Sequence, residues 1–109
     1  MKMIKSIIRP NKVDDVKDAL AKLNIAGITV TEVRGHGKQK GHTAIYRGKE
    51  YNVSLLPKME IEVVVPDSLA DDAIKAIITA ARTGEIGDGR VFVLPVLESY
   101  RIRTGEKES

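Results

Sequence analysis

The apolar positions along the chain recur every second residue in some stretches and every third or fourth in others, and the changes of period mark its elements. From Met3 to Arg9 the run Met-Ile-Lys-Ser-Ile-Ile-Arg is short and rich in β-branched residues, and Pro10 closes it, so it predicts a strand. Val13, Val16, Ala19, Leu20 and Leu23 then fall on one face at helical spacing, with Asp and Lys on the other, which predicts a helix packed on a sheet. Asn24 to Gly27 supplies stop signals, and Ile28-Thr-Val-Thr-Glu-Val33 restores an extended pattern that ends at Gly35. Lys58 to Val65 predicts the third strand. After Pro66, Ser68-x-x-Asp71 resembles a capping box, and Leu69, Ala73, Ile74, Ile77, Ile78 and Ala81 give a second amphipathic helix that Thr83-Gly84 ends. Gly87-Asp-Gly-Arg90 reads as a tight turn before a last strand, Val91 to Leu94, and a basic tail, Arg101-Ile-Arg-Thr-Gly105.

The order strand, helix, strand, strand, helix, strand predicts an α+β fold, a ferredoxin-like βαββαβ sandwich with both helices on one face of a sheet. With 109 residues there is material for one hydrophobic core, so residues 1–109 form a single domain. Alternation in the third strand puts Met59, Ile61, Val63 and Val65 on one face and Lys58, Glu60, Glu62 and Val64 on the other. The first face belongs to the helices. The second, with its charges at Lys58 and Glu62, is either solvated or the wall of a polar site between subunits. Between His36 and Pro57 neither period is sustained, and a structureless connection longer than about 12 to 15 residues inside a compact domain is usually functional.

Composition narrows the function more by exclusion than by assignment. Hydrophobic residues make up 42% and charged residues 30%, which is ordinary for a soluble globular chain and argues against disorder or a coiled coil. No apolar run approaches the roughly 20 residues that span a bilayer, and Met1-Lys2-Met3 leads into a charged strand instead of a signal-peptide core, so a cytoplasmic location is expected. The absence of Cys closes disulfide, Cys-metal and thiol-nucleophile chemistry. A formal net charge of +3 suits an anionic ligand but falls short of a nucleic-acid-binding signature.

The glycine-rich segments fail the familiar phosphate motifs. Gly35-His-Gly-Lys-Gln-Lys-Gly41 lacks the glycine spacing and following helix of a dinucleotide fingerprint. In Gly84-Glu-Ile-Gly-Asp-Gly-Arg-Val91, Arg90 replaces the P-loop lysine, Val91 replaces the Mg²⁺-binding hydroxyl, and a strand follows. What remains is a set of separated cations, Lys38, Lys40, Lys58, Arg90, Arg101 and Arg103, together able to hold several phosphates. His36 and His42 lack a nearby carboxylate cluster for zinc, although Mg²⁺ can enter with phosphates, and Gln39 offers an amide oxygen. No base-activated nucleophile or acid–base carboxylate pair is evident, so no enzyme is expected. An RNA-binding RRM shares the element order, but the strands Met3–Arg9 and Lys58–Val65 contain none of the aromatic platforms that RRMs stack on bases, so no nucleic acid partner is expected.

Tyr46-Arg-Gly-Lys-Glu-Tyr51 resembles the uridylylation motif of the PII signal-transduction family, and Thr83-Gly-Glu-Ile-Gly-Asp-Gly-Arg-Val-Phe92 resembles that family's C-terminal signature. Ile7-Ile-Arg-Pro10, Thr29 to Val33, Gly35-x-Gly-x-Gln-Lys-Gly41, Leu56-Pro-Lys58 and Arg101-Ile-Arg-Thr-Gly105 resemble the family in order over nearly the whole chain. The resemblance implies a homotrimer with nucleotide clefts between subunits, a partner-reading T-loop at about 36–56 and a C-terminal segment at about 97–109. It further implies that Gly35, Gly37, Lys38 and Gln39 line the phosphates of ATP or ADP with Gly87, Asp88, Gly89 and Arg90. Ile7, Thr29, Glu62 and Val64 would contact the nucleotide from the strands, and Arg101 and Arg103 would reach in from the side of the cleft. 2-Oxoglutarate would sit beside ATP-bound Mg²⁺, with Gln39 as metal ligand, Lys58 on the distal carboxylate, and Lys40, Gly41 and Gly87 nearby. The implied partners are an ammonium transporter, a nitrogen-regulatory kinase or a glutamine-synthetase-modifying enzyme, with the membrane reached only through the transporter and Tyr51 as acceptor of a nucleotidyl group. Asn11, His36, Lys38 and Lys49 depart from the family's usual residues. Lys38 replaces a bidentate Arg fork with a point charge beside the phosphates.

Overall fold

The computed structural model describes residues 1–35 and 55–108 with their side chains, and residues 43–46 and 49–52 as backbone strands. Four strands form the main sheet: β1 (Lys2–Ile8), β2 (Thr29–Gly35), β5 (Leu56–Val65) and β6 (Gly89–Pro95), in the order β2-β5-β1-β6. All three pairings are antiparallel, with Ser6 opposite both Ile61 and Val91, and Thr31 opposite Glu60. Two helices, α1 (Val13–Ala21) and α2 (Asp67–Ala81), cover one face, giving the ferredoxin-like α+β sandwich that the element order predicts.

Alternation decides what each face holds. Ile4 and Ile8 of β1 and Ile61, Val63 and Val65 of β5 point to the helices and are buried against Val16 and Leu20 of α1 and Ala70, Ala73 and Ile77 of α2. Each such Ile, Val or Leu side chain contributes about 1.5–3 kcal/mol of transfer free energy, so this layer is the main source of stability. Ser6 shares it, fully buried, and its hydroxyl finds no partner among the described residues. The opposite face carries Met3, Lys5, Ile7, Glu60, Glu62, Val64, Arg90, Phe92 and Leu94, and no described element covers it.

The helix ends follow local chemistry, with one correction. After α1, Asn24 adopts the left-handed region at φ 59°, its N–H bonds to the Ala21 carbonyl, and the Ile25 N–H bonds to the Leu20 carbonyl. This is the Schellman arrangement, and Ile25 is buried beside it. The Ser68 capping box is not realised. Pro66 is the N-cap of α2, in extended conformation, the helix already runs at Asp67, and no side chain caps it. The Asp67 carboxylate instead lies 3.1 Å from the terminal amine of Met1.

Two hairpins lie outside the predicted order. The connection read as structureless contains β3 (Thr43–Tyr46) and β4 (Lys49–Asn52), paired antiparallel with Ala44 opposite Tyr51. Their β-branched and aromatic content favours strands, and four residues on either side of a short connection suffice for a hairpin without a long alternating signal. The tail carries a second short pair, β7 (Ser99–Tyr100) with β8 (Lys107–Glu108). Its turn is closed by main-chain bonds from the Arg101 N–H to Glu106 and from the Gly105 N–H to Arg101.

Candidate functional site

The antiparallel order brings one end of every strand in the main sheet to a common rim. β1 leaves there at Ile8, β2 leaves at Gly35, and β5 and β6 enter at Leu56 and Gly89. Gly35 therefore faces Leu56, Val33 faces Lys58, Met59 faces Ile8, and Ile8 faces Gly89. Segments more than fifty residues apart in sequence meet at this rim because of register, with no local motif required.

Lys58 lies at the centre of the rim. Its side chain is 9% exposed, its stem runs beside Gly35, and its Nζ donates to the Gly87 carbonyl at 2.6 Å. Burial pushes its pKa down, the charge of Arg9 adds to that, and Asp88 opposes it. Lys58 is thus not solvated: it is buried, with its ammonium on a main-chain carbonyl.

Residues 82–88 connect α2 to β6. Gly87 and Gly89 both take positive φ, 101° and 104°. Asp88 folds its carboxylate back to accept from the Thr83 hydroxyl, from the Thr83 and Gly84 N–H groups at 2.8 Å each, and from Arg9 Nε at 3.0 Å. The Thr83 hydroxyl does most to hold the Asp88 carboxyl well below the usual carboxylate range; burial opposes it, and the Thr83 and Gly84 N–H groups and Arg9 add to the lowering. Arg9 also donates Nη2 to the Ile86 carbonyl at 3.0 Å. Gly89 has no room for a side chain, since an added Cβ would lie 1.7 Å from the Ile7 carbonyl oxygen.

Among the residues expected to bind ligand, the structure brings Gly35, Lys58, Gly87, Asp88, Gly89 and Arg90 to this rim, with Ile7 directly opposite Arg90. Thr29 and Glu62 face each other further along the uncovered side, and Val64 lies beyond them. Arg101 and Arg103 are not brought there. They belong to the β7–β8 turn, past Pro95, which pairs with Lys2 at the far end of β1 from Ile8. Six residues of strand separate the two ends, about 20 Å. Arg101 is engaged there with Glu108 at 2.6 Å. Gly37, Lys38, Gln39, Lys40 and Gly41 lie outside the described residues, and Tyr51 is described only as backbone in β4. Arg9 and Thr83 escaped the sequence reading of the site. Their available signals were an Arg placed directly after a strand and a Thr five residues before an Asp in a glycine-rich turn.

Backbone N–H groups in positive-φ turns, a buried lysine and an arginine on a strand end give the rim the composition of an anion-binding surface on a ferredoxin-like scaffold. Comparison with known proteins gives the scaffold its family. The model of the family described as Nitrogen regulatory protein P-II matches residues 1–106, and the chain belongs to that family. It is 62% identical over 107 residues to the Nitrogen regulatory protein P-II of Azospirillum brasilense, covering 98% of this chain and 96% of the relative. It is 57% identical over 107 residues to that of Haemophilus influenzae, with the same coverage. With the Nitrogen regulatory protein P-II 1 of Escherichia coli K12 the identity is 56% over 108 residues, 99% of this chain and 96% of the relative.

Proposed function

We propose that this chain is a nitrogen-regulatory signal protein, not an enzyme, which binds ATP or ADP and 2-oxoglutarate and passes ligand state to other proteins through residues 36–56. The observation that carries the reading is the convergence of Lys58, Arg90 and the Gly87–Gly89 backbone at one rim, where Thr29, Glu62 and Val64 continue along the uncovered face toward a base. Nucleotide phosphates meet the N–H groups and Arg90, and a dicarboxylate meets Lys58, whose desolvated ammonium gains most from an anionic partner.

The same geometry supports a homotrimer. Arg101 and Arg103 can join this rim only from another copy, because their own hairpin lies beyond the opposite end of β1. Val64, Phe92 and Leu94 on the uncovered face remain 41%, 44% and 40% exposed, which suits burial by copies of the same chain. Mg²⁺ would arrive with ATP and retain phosphate oxygens. Among the described residues there is no cluster of three His, Asp or Glu to hold it, and Gln39 is the expected protein ligand. An ammonium transporter, a nitrogen-regulatory kinase or a glutamine-synthetase-modifying enzyme would read the loop, with Tyr51 as acceptor for a nucleotidyl group. Among the described residues no helix is long and apolar enough to cross a membrane, so contact with one would come through the transporter.

The test is calorimetric titration with Mg-ATP, with and without 2-oxoglutarate, on the wild-type chain and on Lys58→Ala. The expected result is mutual dependence of the two ligands, with 2-oxoglutarate binding lost in the variant. A wild-type chain that binds neither ligand would sink the proposal.

A further inference from the structure

The connection between α2 and β6 is held in part by Thr83 and Arg9, side chains to which the ligand reading gives no role. Asp88 gathers the Thr83 hydroxyl, the Thr83 and Gly84 N–H groups and Arg9 Nε on its two carboxylate oxygens, so the side chain is fully engaged within the protein. Arg9 reaches across from the end of β1, 77 and 79 residues away, to take the Ile86 carbonyl as well as the carboxylate. Lys58 takes the next carbonyl, that of Gly87.

The consequence follows from peptide planarity. In a trans peptide the N–H and the C=O point to opposite sides of the chain. With the Ile86 carbonyl drawn to Arg9 and the Gly87 carbonyl drawn to Lys58, the N–H groups of Gly87 and Asp88 are turned to the other side of the loop. Gly87 and Gly89 take positive φ, the backbone region that anion-receiving turns of consecutive N–H groups draw on. Without the bracket, two glycines in so short a connection would sample many conformations, and ordering them would oppose ligand binding.

We infer that Thr83, Asp88 and Arg9 form a positioning bracket that presets the Gly87–Arg90 backbone for an anionic ligand before that ligand arrives, without their side chains touching it. This rests on the nucleotide reading above, because a preset turn matters to affinity only where the turn is used. An anionic carboxylate already satisfied by four donors is a poor direct partner for phosphate, so the contribution of Asp88 to a phosphate is restricted to its main-chain N–H.

The experiment compares wild-type, Thr83→Val, Thr83→Ser and Arg9→Gln proteins by calorimetric titration with Mg-ATP and by the ¹⁵N amide signals of Gly87 and Gly89 without ligand. Thr83→Val, which keeps the shape and loses the hydroxyl, is expected to bind about tenfold more weakly or worse, the effect of losing one charge-assisted hydrogen bond. Its ligand-free Gly87 and Gly89 signals should move. Thr83→Ser restores the hydroxyl and should restore both readouts. Wild-type affinity in Thr83→Val overturns the inference, and so does weakened binding with unmoved amide signals, which would make Thr83 a ligand contact. If Thr83→Val fails to fold, Arg9→Gln decides on the same two readouts. If the wild-type chain itself does not bind Mg-ATP, the nucleotide reading falls and the bracket with it, an outcome distinct from selective loss in the variants.

Discussion

Gly89→Ala tests the packing at the rim most directly. The new Cβ would lie 1.7 Å from the Ile7 carbonyl oxygen, 2.8 Å from its carbon and 3.3 Å from Ile8 Cα, all backbone atoms with no side chain able to swing away. To reach even the shortest tolerated contact of 3.0 Å, the start of β6 must withdraw from β1 where Gly89 pairs with Ile8. That withdrawal breaks ladder hydrogen bonds worth about 0.5–1.5 kcal/mol each. The positive φ of 104° adds a conformational cost of about 1–3 kcal/mol for any residue with a Cβ. Together these predict a loss of about 3–5 kcal/mol. Gly27→Ala is the control, because Gly27 also has positive φ, 76°, but nothing lies within 4 Å of its added Cβ. It should cost only about 1–2 kcal/mol. Urea unfolding gives both values, provided midpoints are compared at one protomer concentration, since self-association makes apparent stability depend on concentration. Equal losses at Gly27 and Gly89 would refute the clash and with it the close approach of β6 to β1 at the rim.

Two further effects follow from the core and the rim. Ser6→Ala removes a buried hydroxyl that has no partner among the described residues, so the urea midpoint should stay level or rise, by up to about 1 kcal/mol, and a fall of that size would mean the hydroxyl is satisfied. The Asp88 carboxyl titrates below its ordinary value of 3.8, so the folded chain binds fewer protons than the unfolded chain in acid. Its stabilisation is complete above that value and is lost as pH falls through the depressed folded-state pKa. The stability gap between wild type and Asp88→Asn should therefore shrink between about pH 5 and pH 2, as followed by chemical denaturation across pH, and a constant gap would contradict the assignment.

The core strands and helices were legible because one buried face imposes a period. Ile4, Ile8, Ile61, Val63 and Val65 had to share a side, and Val16 and Leu20 had to face them. Residues 43–46 and 49–52 resisted the same reading because strands of four carry too few alternations to stand out from a Gly-, Lys- and Arg-rich stretch. The α2 N-terminus went wrong by a different route. Ser68 offered a capping side chain, but Pro66 was already in extended conformation and the helix began at Asp67, one residue ahead of the motif, so that Ser68 lies within the helix. Ala70 was absent from the predicted apolar face yet is buried, and Ile78 was included yet stays 37% exposed, because position around the helix, not residue type, decides which side meets the sheet.

The site was legible in its residue types and not in its arrangement. Lys58 and Arg90 stand out by charge and Gly87 through the family resemblance, yet nothing local distinguishes a solvated lysine from one that is 9% exposed against a carbonyl contributed by residue 87. That distinction depends on the β5–β1–β6 register, which carries Lys58 to the same end as the α2–β6 connection. Arg9 shows the limit most clearly: its two partners lie 77 and 79 residues away, and no spacing rule within a window of ordinary length can pair them. Asp88 shows a complementary limit: the family resemblance points to it as a nucleotide contact, and nothing local shows that its carboxylate is committed to Thr83, Gly84 and Arg9. A charged residue in a binding signature can thus owe its position to the shape of the backbone it holds, and substitution of its quiet neighbour Thr83 separates that role from direct contact.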